Sequence, residues 1–262
     1  MYKNLILNNK NTAPFFQFPH LKQFEGIWHG LFTRKGGVSL RPWKSLNVGR
    51  SVGDSPRAVT QNRRRILRTA GGDRLVFAHQ VHGTEILIVS ENSGEAASAS
   101  PRSDPAPADA MITDIPGQNL VIQVADCQPV LLYDADRHVA ANIHSGWRGS
   151  IRNIIGKTIS AMTAHFQSDP RRIFAGIGPS LGPCCAEFVN YQREIPEKYR
   201  TYRKASDHFD FWAISRDQLC DAGVLPAHII CSGLCTRCRT DLFFSYRGEH
   251  TTGRFAAVIG LR

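Results

Sequence analysis

The chain has 262 residues, 42% of them hydrophobic and 21% charged, with a net charge of +10. This is ordinary for a folded protein long enough to bury a sizeable core. No stretch approaches the roughly 18 apolar residues of a membrane span, and the adjacent aliphatics Leu5 to Leu7 are too few for a secretory signal, so a cytoplasmic protein is expected.

In chain order, the first clear element is "QNRRRILRTAGG". Ile66, Leu67 and Ala70 recur at helical spacing and a glycine pair stops the run. Arg63, Arg64, Arg65 and Arg68 on it read as a solvated helix face rather than a nucleic-acid site, because no helix-turn-helix, RNP-type or zinc-finger pattern accompanies them. "LVFAHQVHG" and "TEILIVS" read as strands. Residues 91–108, "ENSGEAASASPRSDPAPA", lack any bulky apolar side chain and read as a mobile surface loop. "NLVIQV" and "VLLYD" are near-continuously apolar, the mark of strands covered on both faces.

"HVAANIH" follows as a strand. "SIRNIIGKTISAMTAHF" follows as a helix, with Ser150 as its expected N-cap and Ile154, Ile155, Ile159 and Met162 on one face. "RIFAGIGPS" is a strand stopped by Gly and Pro, "WAISRDQLCDAG" a helix closed by Gly223, and "RFAAVIGL" a last strand. Strands and helices mix without regular alternation. The expectation is an α/β (α+β) fold, one layered domain over residues 1–262 with mixed β-sheets and flanking helices.

Three metal-ligand types sit at expected strand ends: His82, Cys127 and His144. Strand ends can converge on one crevice. Two imidazoles and a thiolate suit zinc, and three protein ligands leave the open fourth position of a catalytic site. On spacing alone, two ordinary strand-end histidines and a buried thiol explain the same residues. His79, three residues before His82, points to the opposite face if the strand is flat.

The seven cysteines are an odd number in a chain without an export signal, which favours free thiols or metal ligands over a disulfide framework. "CTRC" at Cys235–Cys238 has zinc-knuckle spacing, but a closed site needs a second pair. Cys184 and Cys185 are adjacent, a poor chelate, so a four-cysteine site is not favoured. The glycine-rich "SGWRGS" is no P-loop, yet it leads into a helix whose N-terminal end attracts anions, with Arg148 adding a charge suited to phosphate.

Together, "HGLFTRKGGVS", "SLNVGRSVGDSPRAVTQNRRRI", "HQVHGTEI", "DAMITD", "ADCQPVLLYD", "IHSGWRGSI", "GIGPSLGPCCAEF" and "CTRCRTDLFFSYRGEHTTGR" resemble the bacterial laccase-domain family, first described as multicopper polyphenol oxidases and later as purine nucleoside phosphorylases. The resemblance implies a layered α/β domain with its site on one face, and zinc held by His82, Cys127 and His144. It implies phosphorolysis of adenosine, inosine, guanosine and methylthioadenosine, and deamination of adenosine. The partners implied are purine nucleosides and phosphate, with no nucleic acid or membrane, in a monomer or small homo-oligomer. Arg148 and Arg34 are the candidates for phosphate or substrate binding, Asn47 for substrate binding, and His79 for a general acid. Where relatives carry a second arginine in "FFSYRR", this chain has Gly248.

Three other readings use the same residues. A copper-dependent laccase calls for several coppers and many histidines, and the ten histidines here include no His-x-His pair. A metal-free cysteine hydrolase uses Cys127 as nucleophile with His144 or His82 as base. A non-enzymatic anion- or nucleic-acid-binding module rests on net charge alone.

Overall fold

The structure, a computed structural model, describes residues 4–9, 12–89 and 106–262. Among the described residues twelve strands form two six-stranded sheets. The first contains β1 (Ile6–Asn8), β2 (Phe15–Gln17), β3 (Ile27–Phe32), β4 (Arg74–Phe77), β7 (Gln118–Val124) and β12 (Phe255–Leu261), in the order β1-β2-β3-β12-β7-β4. The second contains β5 (Ile86–Ile88), β6 (Ala110–Thr113), β8 (Gln128–Asp134), β9 (Val139–Ser145), β10 (Ile173–Ile177) and β11 (Ile229–Cys231), in the order β11-β10-β8-β9-β6-β5. The pairs β4/β7, β5/β6 and β10/β11 are parallel and the rest antiparallel, so both sheets are mixed. The helices are α1 (Pro19–Lys22), α2 (Pro56–Ala70), α3 (Trp147–Ile151), α4 (Ile154–Phe166), α5 (Tyr191–Glu194), α6 (Phe211–Asp221) and α7 (Tyr246–Glu249). None among the described residues is long and apolar enough to cross a membrane.

The near-continuous apolar strands are explained by four layers. Along β7, Leu120, Ile122 and Val124 point into the core between the sheets, while Val121 points out toward Ile66 and Ala70 of α2. Along β8, Leu131 and Tyr133 join the central core, and Val130 and Leu132 pack with Ile154, Ile155, Ile159 and Met162 of α4. A period-2 strand between two apolar layers has no polar face to show. Asn142 pins the sheets together by donating from its amide to the carbonyls of Leu120 and Ala257, both at 2.9 Å.

Three local expectations are corrected. The helix expected from Ser150 is broken into α3 and α4, with Asn153 between them in left-handed conformation (φ 55°) and its side chain accepting from the Gly156 N–H. Asn153 is thus the cap, and Ser150 instead shares a hydrogen bond with the Ser145 hydroxyl. A β-carbon at Gly156 would stand 2.5 Å from the Asn153 amide, so the cap depends on that glycine. The strand expected to reach His82 stops at Phe77, and the chain turns toward β6. Residues 91–105 of the expected mobile loop lie outside the described residues. Its last residues are not loose: the Ala108 N–H donates to the His79 carbonyl, Pro107 pairs with His79, and Ala108 is buried in the core.

Candidate metal centre and arginine-lined cavity

The three ligand candidates converge because two carboxylates hold the turns that carry them. Asp109, just before β6, is fully buried. Its carboxylate accepts the backbone N–H groups of Val81, His82 and Gly83 at 3.2, 3.0 and 2.7 Å. That wraps the chain into a turn with His82 in left-handed conformation (φ 59°), a strained state for a non-glycine residue that the carboxylate compensates. Asp126, between β7 and β8, is also left-handed (φ 87°). Its carboxylate accepts from Thr236 and Ser245 hydroxyls and the Arg247 N–H, at 2.6, 2.7 and 2.6 Å. This turn presents Cys127. His144 comes from β9, opposite Pro129 of β8.

The three donor atoms lie within 4.8 Å of one another. Cys127 Sγ is 3.7 Å from His82 Nε2. Sulfur and nitrogen at about 2.3 and 2.05 Å from a tetrahedral zinc stand about 3.6 Å apart, so the spacing fits an ion between them. His144 Nδ1 is 2.7 Å from Asp109 Oδ1, which assigns the ring proton to Nδ1 and leaves Nε2 as the ligand atom. One carboxylate therefore shapes the His82 turn and sets the His144 tautomer. Gly146 passes against all three ligands: a β-carbon there would stand 2.9 Å from His82 Cδ2 and 3.2 Å from Cys127 Sγ.

Burial alone would push the Cys127 thiol up. The charge and hydrogen bond of His144, with help from His82, overcome that and bring it down to about 6. Burial would likewise push His144 down, but the Cys127 charge and the Asp109 hydrogen bond raise it to about 9. Without a metal the two therefore form a thiolate–imidazolium pair. A thiolate and two imidazoles with their lone pairs aimed together are a donor set for a soft or borderline divalent metal.

The ligands sit in the wall of a cavity of about 980 Å³. Arg50, Arg63, Arg247 and Arg254 line it, and Phe77, Trp147, Phe188 and Phe211 supply apolar wall. Its one acidic lining residue among the described residues, Asp126, is already occupied by three donors. None of the four arginines has a carboxylate partner among the described residues. Arg63 donates to the Val48 carbonyl, Arg247 to the Glu187 carbonyl, and Arg254 to the Thr252 and Gly253 carbonyls. Burial, then the Arg50 charge, pushes the Arg63 guanidinium down to about 9. An uncompensated cluster of cations beside apolar wall is built for an anion.

The sequence reading misplaced several of these groups. Arg63 is not on the solvated face of α2: it turns inward and stacks on Phe77 at 3.8 Å, because Val59, Asn62 and Ile66 turn its side of the helix toward the protein. His79 shares the cavity with His82, since both lie beyond the end of β4 at Phe77 and the chain turns at His82, so strand alternation does not apply to them. Arg148 is exposed and stacks on Trp147 at 4.8 Å, behind the lining rather than in it. The helix it belongs to spans only five residues, too short for the expected dipole. Arg34 lies outside this cavity. It donates to the carbonyls of Lys44 and Thr240 and pairs with Glu249 at 2.8 Å, lining a second, shallower depression. Asn47 is fully buried and serves the scaffold: its Oδ1 accepts from the Gly49 and Arg254 N–H groups, which places Arg254. Asp109, Asp126, Arg50 and Arg254 were within recognisable motifs, but nothing in their spacing reveals a partner so distant in sequence.

Relatives settle which α/β family this scaffold belongs to. Residues 28–262 match the family described as multi-copper polyphenol oxidoreductase laccase, and the chain belongs to that family. Purine nucleoside phosphorylase YlmD of Geobacillus stearothermophilus is 35% identical over 252 residues, covering 91% of this chain and 92% of that one. Purine nucleoside phosphorylase YfiH of Escherichia coli K12 is 34% identical over 252 residues, covering 93% and 97%. The crystal structure of YlmD from Geobacillus stearothermophilus superposes with a TM-score of 0.87 at 32% identity, over 98% of this chain and 99% of that one. That of Bacillus licheniformis hypothetical protein YfiH superposes with a TM-score of 0.88 at 28% identity, over 98% and 99%. The protein is an enzyme with a candidate metal site.

Proposed function

We propose that the cavity is the active site of a zinc-dependent purine nucleoside phosphorylase that also deaminates adenosine, with adenosine, inosine, guanosine and methylthioadenosine as substrates. The observation that carries this is the juxtaposition of two imidazoles and a thiol with four arginines that have no carboxylate partner among the described residues. The names of the relatives support the purine nucleoside phosphorylase part of this reading. The reading takes the whole chain as one cytoplasmic domain, a monomer or small homo-oligomer, with no nucleic-acid or membrane partner.

In phosphorolysis a phosphate oxygen bonds to the ribose carbon as that carbon's bond to the purine nitrogen breaks. The electron pair leaves with the base, which takes up a proton. Arg63 and Arg254 hold the phosphate and Arg50 and Arg247 add to the field, so the anion is concentrated and oriented without a reorganisation cost. The Trp147, Phe188 and Phe211 rings, packed on one another edge to face or tilted at 5.9 and 5.3 Å, offer an apolar wall for a flat base. His79, which lines the cavity and has no side-chain hydrogen bond among the described residues, would deliver the proton to the departing purine. His82, Cys127 and His144 would hold zinc, which supplies Lewis acidity and activates water for deamination.

Purified protein incubated with adenosine, with and without phosphate, tests the reading. Adenine that appears only with phosphate, and inosine in either case, support it. The lowered Cys127 thiol beside His144 favours one second reading, a cysteine hydrolase. Retention of full activity after zinc is stripped would select it. A laccase needs several coppers within reach of one another, and the described residues offer one histidine-containing ligand group in the cavity.

A further inference from the structure

Four of the seven cysteines meet outside the cavity. The sulfurs of Cys184, Cys185, Cys235 and Cys238 all lie within 4.8 Å of one another. Cys184 Sγ and Cys185 Sγ are each 3.6 Å from Cys238 Sγ. Sulfurs bound at about 2.3 Å to one tetrahedral zinc stand about 3.8 Å apart. Cys238 has two equidistant neighbours, which suits a shared ion. A disulfide requires one sulfur at about 2.0 Å and excludes the other.

The sequence reading set a four-cysteine site aside because adjacent cysteines chelate poorly. In an extended backbone they do, since successive side chains oppose each other. Here the N–H groups of Cys185 and Ala186 both donate to the Gly182 carbonyl at 2.9 Å. Residues 183–185 therefore coil as a helical turn, where neighbouring side chains diverge by about 100° and both can face one point. The second pair is locked by a matching turn in which the Arg239 N–H donates to the Cys235 carbonyl.

The two turns are held together independently of any ion. Ser180 pairs with Cys235 as a short β-bridge, and the Gly182 N–H donates to Cys235 Sγ at 3.3 Å. A backbone N–H aimed at a sulfur stabilises a thiolate. Gly182 makes the approach possible: a β-carbon there would stand 3.1 Å from Cys235 Cβ and 2.7 Å from the Trp212 ring.

We infer that Cys184, Cys185, Cys235 and Cys238 bind a zinc ion in a closed, four-sulfur structural site, separate from the His82 centre. Tetrahedral S₄ coordination selects zinc or iron–sulfur chemistry. A polynuclear iron–sulfur cluster spreads its cysteines over different irons, too far apart for a group this tight. Four protein ligands leave no open position, so the ion holds structure and does no chemistry. What it holds is the cavity wall. The first cysteine turn lies among Ser180, Leu181, Ala186 and Phe188, and the second leads into Tyr246 and Arg247, all of which line the cavity. The clasp positions Arg247 and Phe188 relative to each other.

The test keeps this site apart from the cavity centre. Cys127→Ala and His82→Ala proteins, purified without chelator, should each retain one zinc per chain, with an X-ray absorption shell of four sulfurs at about 2.3 Å. Cys184 and Cys238 are exposed. In untreated protein both should resist iodoacetamide and become reactive once a strong chelator strips the zinc, as peptide mapping will record. Cys184→Ser/Cys238→Ser protein should lose the zinc. If that variant does not fold, the absorption and alkylation results on the intact cluster still decide. The proposal is overturned if the Cys127→Ala protein purifies folded and metal-free. Alkylation of Cys184 and Cys238 at the rate of free thiols, or an intact mass two hydrogens light per disulfide, overturns it equally.

Discussion

Asp109→Asn is the sharpest probe of the cavity centre, because it changes one atom and no volume. In the native protein Oδ1 accepts from His82 N–H and His144 Nδ1, and Oδ2 from Gly83 N–H and Val81 N–H. An asparagine can place its NH₂ on either side. On the Oδ2 side it opposes the two backbone donors of Val81 and Gly83. On the Oδ1 side it strands the His82 N–H and drives the His144 proton to Nε2, the atom needed by the metal. Each stranded donor costs about 1–3 kcal/mol, so the first arrangement loses about 2 kcal/mol or more. At about 2–4 °C per kcal/mol for a chain of this size, melting should fall by about 4–8 °C. Metal affinity should fall roughly 10–100-fold, the usual cost of losing a carboxylate behind a ligand histidine, or about 1.4–2.7 kcal/mol. Chelator competition measures the second quantity and calorimetry the first. Wild-type zinc affinity and an unchanged melting temperature together would refute the assignment of Asp109 as the organiser of this site.

Gly146→Ala should leave the fold intact but reduce metal at the cavity centre, since the new methyl crowds His82 and Cys127. Metal analysis showing full occupancy would count against the convergence described here. Arg63→Ala should raise the phosphate KM at least about tenfold, as expected for a lost charge-assisted hydrogen bond, with a much smaller change for Arg148→Ala; equal effects would return Arg148 to the phosphate site. In zinc-stripped protein, alkylation of Cys127 should rise with pH through a midpoint of about 6, well below the ordinary 9.0 of a thiol. The depressed Cys127 value adds stability that is complete above about 9 and lost as pH falls through about 6, while the raised His144 value adds stability that is complete below 6.5 and lost as pH rises through about 9. In the metal-free protein the thiolate and the imidazolium are therefore both present between about 6 and 9, and a midpoint near 9 for alkylation would show that the pair does not form.

The legible part of the site was the part written in residue type. His82, Cys127 and His144 stand out because two imidazoles and a thiol are a zinc donor set, although their spacing alone fits ordinary histidines and a buried thiol equally, and the apolar runs of β7 and β8 announce strands covered on both faces. What stayed hidden was direction and partnership. Arg63 and Arg64 are neighbours of one type on one helix, and only tertiary packing decides that the first stacks on Phe77 while the second faces solvent. Asp109 is 35 residues from the histidine it orients. The bend after Phe77 depends on that same carboxylate, so a strand pattern read locally runs on to His82 when the chain does not. The cysteines make the point most sharply. Adjacent Cys184 and Cys185 are a poor chelate only if the backbone is extended, and the single carbonyl of Gly182, taking two N–H groups, removes that condition. Ligand sets built from turns are thus systematically undercounted by spacing rules drawn from strands and helices, because the turn's hydrogen bonds, and not the intervals between ligands, decide where the side chains point.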